Sequence, residues 1–256
     1  MPPTVSNQDL AEGTTRVTRQ KRIGMELGLG GIVLLAMVVA LGLLTTEADV
    51  GAFSQVAPLA VATYLGMAVL LWRPLMRRPH SQSGLGAANR VTLARGVLVA
   101  LMAGTLADPA LLAAHGEWLF ALALVALALD GVDGWVARRT ASASAVGARF
   151  DMELDAFFIL VLCLALLVLD RVGPWVLAIG IMRYAFVAAS WRWHWLADDL
   201  PESFRRKAVC VWQVAALMLA LLPATPDNLP SWLAATALAG LAGSFAVDVR
   251  WLYRHR

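Results

Sequence analysis

Eight stretches of this sequence stay apolar over the length of a bilayer's hydrocarbon core, and that repetition limits the fold more than any other feature. They run approximately over residues 24–44, 53–72, 88–107, 117–137, 147–169, 174–193, 207–222 and 231–251. A transmembrane helix needs roughly 20 such residues. The composition agrees: 59% of residues are hydrophobic and 15% charged, whereas soluble domains have about 25% charged residues. A soluble globular fold is excluded. The expected class is an all-α integral membrane protein. The first apolar run, Gly24 to Leu44, is too long for a signal-peptide core and is read as a retained helix.

Charge placement tests the count independently, because cytoplasmic loops collect Lys and Arg. With the N-terminus inside, the inner segments carry Arg16 to Arg22, then Arg73, Arg77 and Arg78. Further inner segments hold Arg138, Arg139 and Arg149, then Arg192 and Arg205 to Lys207, and finally Arg250, Arg254 and Arg256. Of 21 Lys and Arg residues, only Arg171 falls in an outer loop. Both termini are therefore expected in the cytoplasm. The same bias accounts for the net charge of +3 without a nucleic-acid partner. Tryptophans at 72, 118, 175, 191, 193, 195, 232 and 251 sit near the expected span ends, where an amphipathic indole is favoured. Pro174, Pro223, Pro226 and Pro230 fall at or between helix ends. Cys163 and Cys210 lie in apolar runs and read as buried thiols. The histidines are scattered, without metal-ligand spacing.

The expected organisation is a polar cytoplasmic tail over 1–22, two N-terminal transmembrane helices over 23–76, and a polar linker over 77–87. Six further helices follow over 88–253.

The chemistry concentrates in residues 130–155, DGVDGWVARRTASASAVGARFDMELD. Asp130 and Asp133 stand three apart near the inner end of the fourth span, and Asp151 and Asp155 four apart at the start of the fifth. Those spacings put each pair on one helical face, and the short connection makes a hairpin in which the pairs converge. Four carboxylates beside hydrocarbon repel one another and lose solvation unless cations neutralise them. All-oxygen ligation suits Mg²⁺, Mn²⁺ or Ca²⁺. Two such ions can hold a diphosphate and stabilise its attacking and leaving oxygens. Gly134 and Gly147 keep the adjoining surface open, and Arg138 lies where it could meet a diphosphate. Arg138 would also serve as an ordinary inner-loop anchor.

The pattern Asp130-x2-Asp133-Gly134-x2-Ala137-Arg138-x8-Gly147-x3-Asp151-x3-Asp155 resembles the complete signature of the CDP-alcohol phosphotransferase family at all eight positions. The resemblance spans about residues 86–253 and implies a six-helix core, to which the first two helices are additional. It further implies two Mg²⁺ or Mn²⁺ ions at Asp130, Asp133, Asp151 and Asp155, with Asp155 also the base. Gly134, Ala137, Arg138 and Gly147 would border the CDP moiety. Asn89-x2-Thr92-x2-Arg95 is similar to the polar opening of the family's first core helix, near the nucleotide, with Ala88 where a proline is frequent.

The implied reaction displaces CMP from a CDP-linked alcohol by an acceptor hydroxyl. The expected donor is CDP-diacylglycerol and the expected acceptor a small polar alcohol, with a phosphorylated one slightly favoured over a neutral one. Arg149, Arg183, Ser203, Arg205, Arg206 and Lys207 are candidates for the acceptor pocket. Arg183 stands out because a cation ten residues into a span needs a polar cavity. The other cations are also what inner helix ends ordinarily carry. A soluble CDP-alcohol donor with a diacylglycerol acceptor would use the same residues. A cation-coupled transporter is the reading from another class, but its carboxylates would lie near the midplane on broken helices. An inactive scaffold would be expected to have lost part of the signature. The resemblance also implies a homodimer, and the bacterial inner membrane with a cytoplasmic active site is the expected location.

Overall fold

The computed structural model describes residues 7–44, 50–76, 85–140, 145–198, 200–201 and 203–255, which form helices and connecting turns with no strand. In chain order the helices are α1 Asn7–Leu44, α2 Val50–Met76, α3 Ala87–Thr105, α4 Pro109–Ala114 and α5 Gly116–Thr140. They continue with α6 Ala145–Val168, α7 Leu177–Arg192, α8 Phe204–Leu221 and α9 Leu229–Arg254. Each of the eight expected apolar segments is helical. The short α4 was not foreseen; Asp108 caps it, its carboxylate accepting from the Leu111 N–H at 3.0 Å, and Pro109 starts it. Helix α1 also runs back through residues expected only as a polar tail. Of the expected linker, residues 77–84 lie outside the described residues.

Among the described residues, five helices are long and apolar enough to cross a membrane: Val17–Leu44, Ser54–Met76, Gly116–Val136, Pro174–Arg192 and Leu229–Arg254. Apolar side chains crowd their outer faces, among them Met25, Leu29, Ile32, Leu65 and Leu70. Water would not tolerate so large an apolar surface, whereas lipid does. The three long helices short of that threshold also carry ionisable residues: Arg90 and Arg95 on α3, Arg149 to Asp155 on α6, and Arg205 to Lys207 on α8. Charge inside an apolar helix is costly and persists where it has partners. Trp118, Trp175, Trp191, Trp193 and Trp232 are exposed at helix ends. Cys163 is buried as expected, but Cys210 is exposed on α8, a correction to the buried-thiol reading: its position on α8 points outward.

By internal contacts the chain divides into two compact units, residues 1–107 with 125–152 and residues 108–124 with 153–256. In the first unit α1 and α2 pack on α3, and α3 is buried on nearly every side from Leu93 to Thr105. That suits a helix without a polar stripe. At its far end, a Cβ on Gly104 would come within 2.7 Å of Ala60 Cβ and 2.8 Å of the Val56 carbonyl oxygen. Glycine is what lets α2 and α3 approach so closely.

In the second unit α8 and α9 form a tight antiparallel pair. Arg171, the exception to the charge alternation, donates to the Leu222 carbonyl at 2.8 Å and to the Thr225 hydroxyl. This cation is tied down by the loop between α8 and α9, which explains its presence on a side where basic residues are scarce.

Candidate active site

Helix α5 presents Asp130 and Asp133 one turn apart, and α6 presents Asp151. Between them stands a residue expected only beside the nucleotide. Arg95, from the buried helix α3, has a side chain only 1% exposed. Its Nη1 donates to Asp130 Oδ1 at 2.6 Å, to Asp151 Oδ1 at 2.7 Å and to Asp133 Oδ2 at 3.2 Å. One guanidinium thus gathers carboxylates from two helices. Thr92, one turn earlier, lies 3.1 Å from Asp133 Oδ2 and 3.2 Å from the Ala88 carbonyl. Its single proton serves one of them at a time. Asn89 donates its amide to the Leu85 carbonyl at 2.6 Å. The polar opening of α3 therefore faces the carboxylates through Thr92 and Arg95, while Asn89 is bonded to its own helix entrance.

Exposure gives the cluster a direction. Asp133 and Arg95 are 7% and 1% exposed, but Asp130 and Asp151 are 39% and 34% exposed. The first two make a floor, and the other two form an open rim from which a ligand would enter.

Asp155 follows Asp151 by one turn on the same unbroken helix, so α6 itself fixes its place. Asp130, Asp151 and Asp155 each offer a carboxylate oxygen, and these atoms lie within 4.8 Å of one another. Such a donor set, all oxygen and carboxylate, fits a hard divalent cation. The charges agree: three acids, Asp130, Asp133 and Asp151, meet one buried arginine, an excess of negative charge that a bound cation would reduce. Asp133, the fourth expected ligand, is not in this close group; Thr92 and Arg95 hold it on the floor.

The remaining expected residues are placed as follows. Gly134 follows Asp133 on α5 and is partly exposed, and Gly147 is buried in the first turns of α6. The side chains of Ala137 and Arg138 lie outside the described residues. Arg149 is exposed on α6. Arg183 donates to Glu153 Oε1 at 2.8 Å. Ser203 is the N-cap residue of α8 and makes no side-chain capping bond. Arg205 donates to the Ser244 carbonyl at 2.7 Å, the Ser244 hydroxyl at 2.6 Å and Asp248 Oδ1 at 2.5 Å. Arg206 donates to the Pro201 carbonyl and lies 3.7 Å from Asp248, and Lys207 is exposed. Three of the expected acceptor-binding cations, Arg183, Arg205 and Arg206, thus already have acidic partners. Glu153 and Asp248 were missed, although an acid deep in the last apolar segment was the signal that a cation should face it.

The helical fold and the apolar outer faces of the described residues fit a multi-pass membrane protein, and the carboxylate cluster could bind a metal ion. The chain matches the CDP-alcohol phosphatidyltransferase family over residues 85–245, and it belongs to that family. The family transfers a phosphatidyl group from a CDP-alcohol to an alcohol. The match begins at the entrance of α3, so α1 and α2 lie outside it. No curated protein and no solved structure matches the chain.

Proposed function

We propose that this chain transfers the phosphatidyl group of CDP-diacylglycerol to the hydroxyl of a small polar alcohol at the cytoplasmic face of a bacterial inner membrane. The observation that carries the reading is the set of three carboxylate oxygens, from Asp130, Asp151 and Asp155, within 4.8 Å of one another. Two divalent ions, Mg²⁺ or Mn²⁺, held there with Asp133 behind them would offset the negative charge of the diphosphate. A lipid donor fits a chain whose long helices expose apolar faces, because its acyl chains would stay in the bilayer. The cytoplasmic orientation rests on the arginine and lysine distribution.

In this reading the acceptor oxygen forms a bond to the phosphorus that bears the diacylglycerol. The bond from that phosphorus to the oxygen bridging it to CMP breaks, and CMP departs with the bond's electron pair. Asp155 takes the hydroxyl proton. Its support is its place on α6, one turn from Asp151. Arg95 and Thr92 hold Asp130, Asp133 and Asp151 in register from below, so the charged groups are oriented before substrate arrives. Gly134, Ala137, Arg138, Gly147 and Asn89 would border the nucleotide. A phosphate on the acceptor would meet the exposed Arg149 and Lys207, or would have to displace Glu153 from Arg183 or Asp248 from Arg205 and Arg206.

The test is CMP release by the purified protein in lipid nanodiscs, with CDP-diacylglycerol and a panel of phosphorylated and neutral alcohols. The expected outcome is release that depends on one acceptor class and on added Mg²⁺ or Mn²⁺. Release with a soluble CDP-alcohol and diacylglycerol, and none with CDP-diacylglycerol, would reverse the assignment of donor.

A further inference from the structure

Helices α1 and α2 lie outside the family match, yet they hold the helix that carries Arg95 and Thr92. The contact that does so is an acid on α1. Glu26 Oε2 accepts from the Leu85 N–H at 3.2 Å, one residue before Gly86, the N-cap of α3. Glu26 Oε1 accepts from Arg90 Nη2 at 2.6 Å and from Arg90 Nε at 3.2 Å. One carboxylate thus grips α3 both before its first residue and within its first turn. Gly86 supplies no side-chain cap and has a φ of 86°, so apart from the Asn89 amide on the Leu85 carbonyl the α3 entrance has little side-chain restraint of its own. A negative charge near a helix N-terminus is also favourable.

Glu26 is itself held in place. The Tyr64 hydroxyl of α2 donates to the Leu27 carbonyl at 2.6 Å. The Tyr64 ring lies against Gly30 and Gly31 of α1, where a Cβ on Gly30 would collide with the hydroxyl. This fixes α1 against α2 beside Glu26. Further along, Met67 and Ala60 of α2 rest on Gly96 and Gly104 of α3. An acid in an apolar helix is expensive; here its cost is offset by contacts to one element, α3.

We infer that Glu26 is a positioning residue of the active site. By fixing the entrance of α3, it sets the height at which Thr92 and Arg95 meet the carboxylates. The α1–α2 pair is then a brace for the catalytic helix as well as additional membrane anchorage. The inference rests on the proposed function for its kinetic consequence, but not for its structural one.

The experiment uses the full chain in nanodiscs with Glu26→Leu, Glu26→Gln and, as control, Met25→Ala, whose side chain points outward beside Glu26. In Glu26→Leu the donor KM should rise and kcat should fall, together by about tenfold in kcat/KM, since small misplacements of catalytic groups cost that much or more. The acceptor KM should stay unchanged, and amide hydrogen exchange over residues 85–92 should speed up. Glu26→Gln keeps an oxygen for the Leu85 N–H and should fall between, while Met25→Ala should match wild type. Unchanged exchange over 85–92 in Glu26→Leu would overturn the inference. So would a fall in kcat with both KM values unchanged, which would mean only fewer folded molecules. If wild type released no CMP from any CDP-alcohol, the proposed function would fail, and the exchange measurement would still decide the role of Glu26.

Discussion

Asp155→Asn should insert and fold as wild type does and release CMP at least about 10³-fold more slowly, as expected when a general base is lost together with a metal ligand. The substitution conserves shape and removes only the charge and the basicity. Asp151→Asn should be as inactive for a different reason. Asp151 is both a member of the close carboxylate group and the acceptor of a 2.7 Å bond from Arg95. Its loss therefore removes a cation ligand and unbalances the floor of the site. The two variants separate on pre-incubation with Mn²⁺ before thermal melting. Asp155→Asn leaves all three Arg95 partners described above charged, whereas Asp151→Asn leaves the guanidinium with one neutral partner. Wild-type turnover in either would refute the assignment.

The second large effect belongs to Arg95. In Arg95→Met the carboxylates of Asp130, Asp133 and Asp151 lose the cation that now bridges them. Removing one partner of a fully buried ion pair destabilises by about 3–5 kcal/mol. Two of the three partners here keep partial access to water, so the low end, about 3 kcal/mol, is expected. The signature is conditional: without divalent ions the variant should melt well below wild type. Saturating Mn²⁺ should recover much of the difference, because it restores positive charge among the same oxygens and binding to the folded state adds to stability. Melting curves of both proteins with chelator and with Mn²⁺ measure this. If Arg95→Met melted as wild type does under chelation, Arg95 would not be balancing the cluster.

Some of this was legible in the sequence for simple reasons. Span length and arginine placement are one-dimensional properties, and each expected apolar segment is helical. The spacings Asp130 to Asp133 and Asp151 to Asp155 fix a shared helical face whatever the tertiary structure, so the carboxylate group was visible in advance. What escaped depends on which helix packs on which. Arg95 was expected beside the nucleotide, as an element of the α3 opening. Only the burial of α3 in the first unit brings its guanidinium between Asp130 and Asp151. Arg183 and Arg205 looked like substrate-binding cations because neither has an acidic partner on its own helix. Their partners, Glu153 and Asp248, lie 30 and 43 residues away. The helical continuation of α1 through residues 7–22 was hidden by their polarity, which says where a segment lies and not how it is wound.

Manganese titration of the purified protein, followed by the electron paramagnetic resonance of the free ion, tests the central claim most directly, since it needs neither substrate nor turnover. Wild type should sequester Mn²⁺, competed by Mg²⁺, and Asp130→Asn, Asp151→Asn and Asp155→Asn should each weaken that uptake at least about tenfold, the scale on which disturbing a metal site costs affinity. Superimposable titration curves for wild type and all three variants would contradict the account.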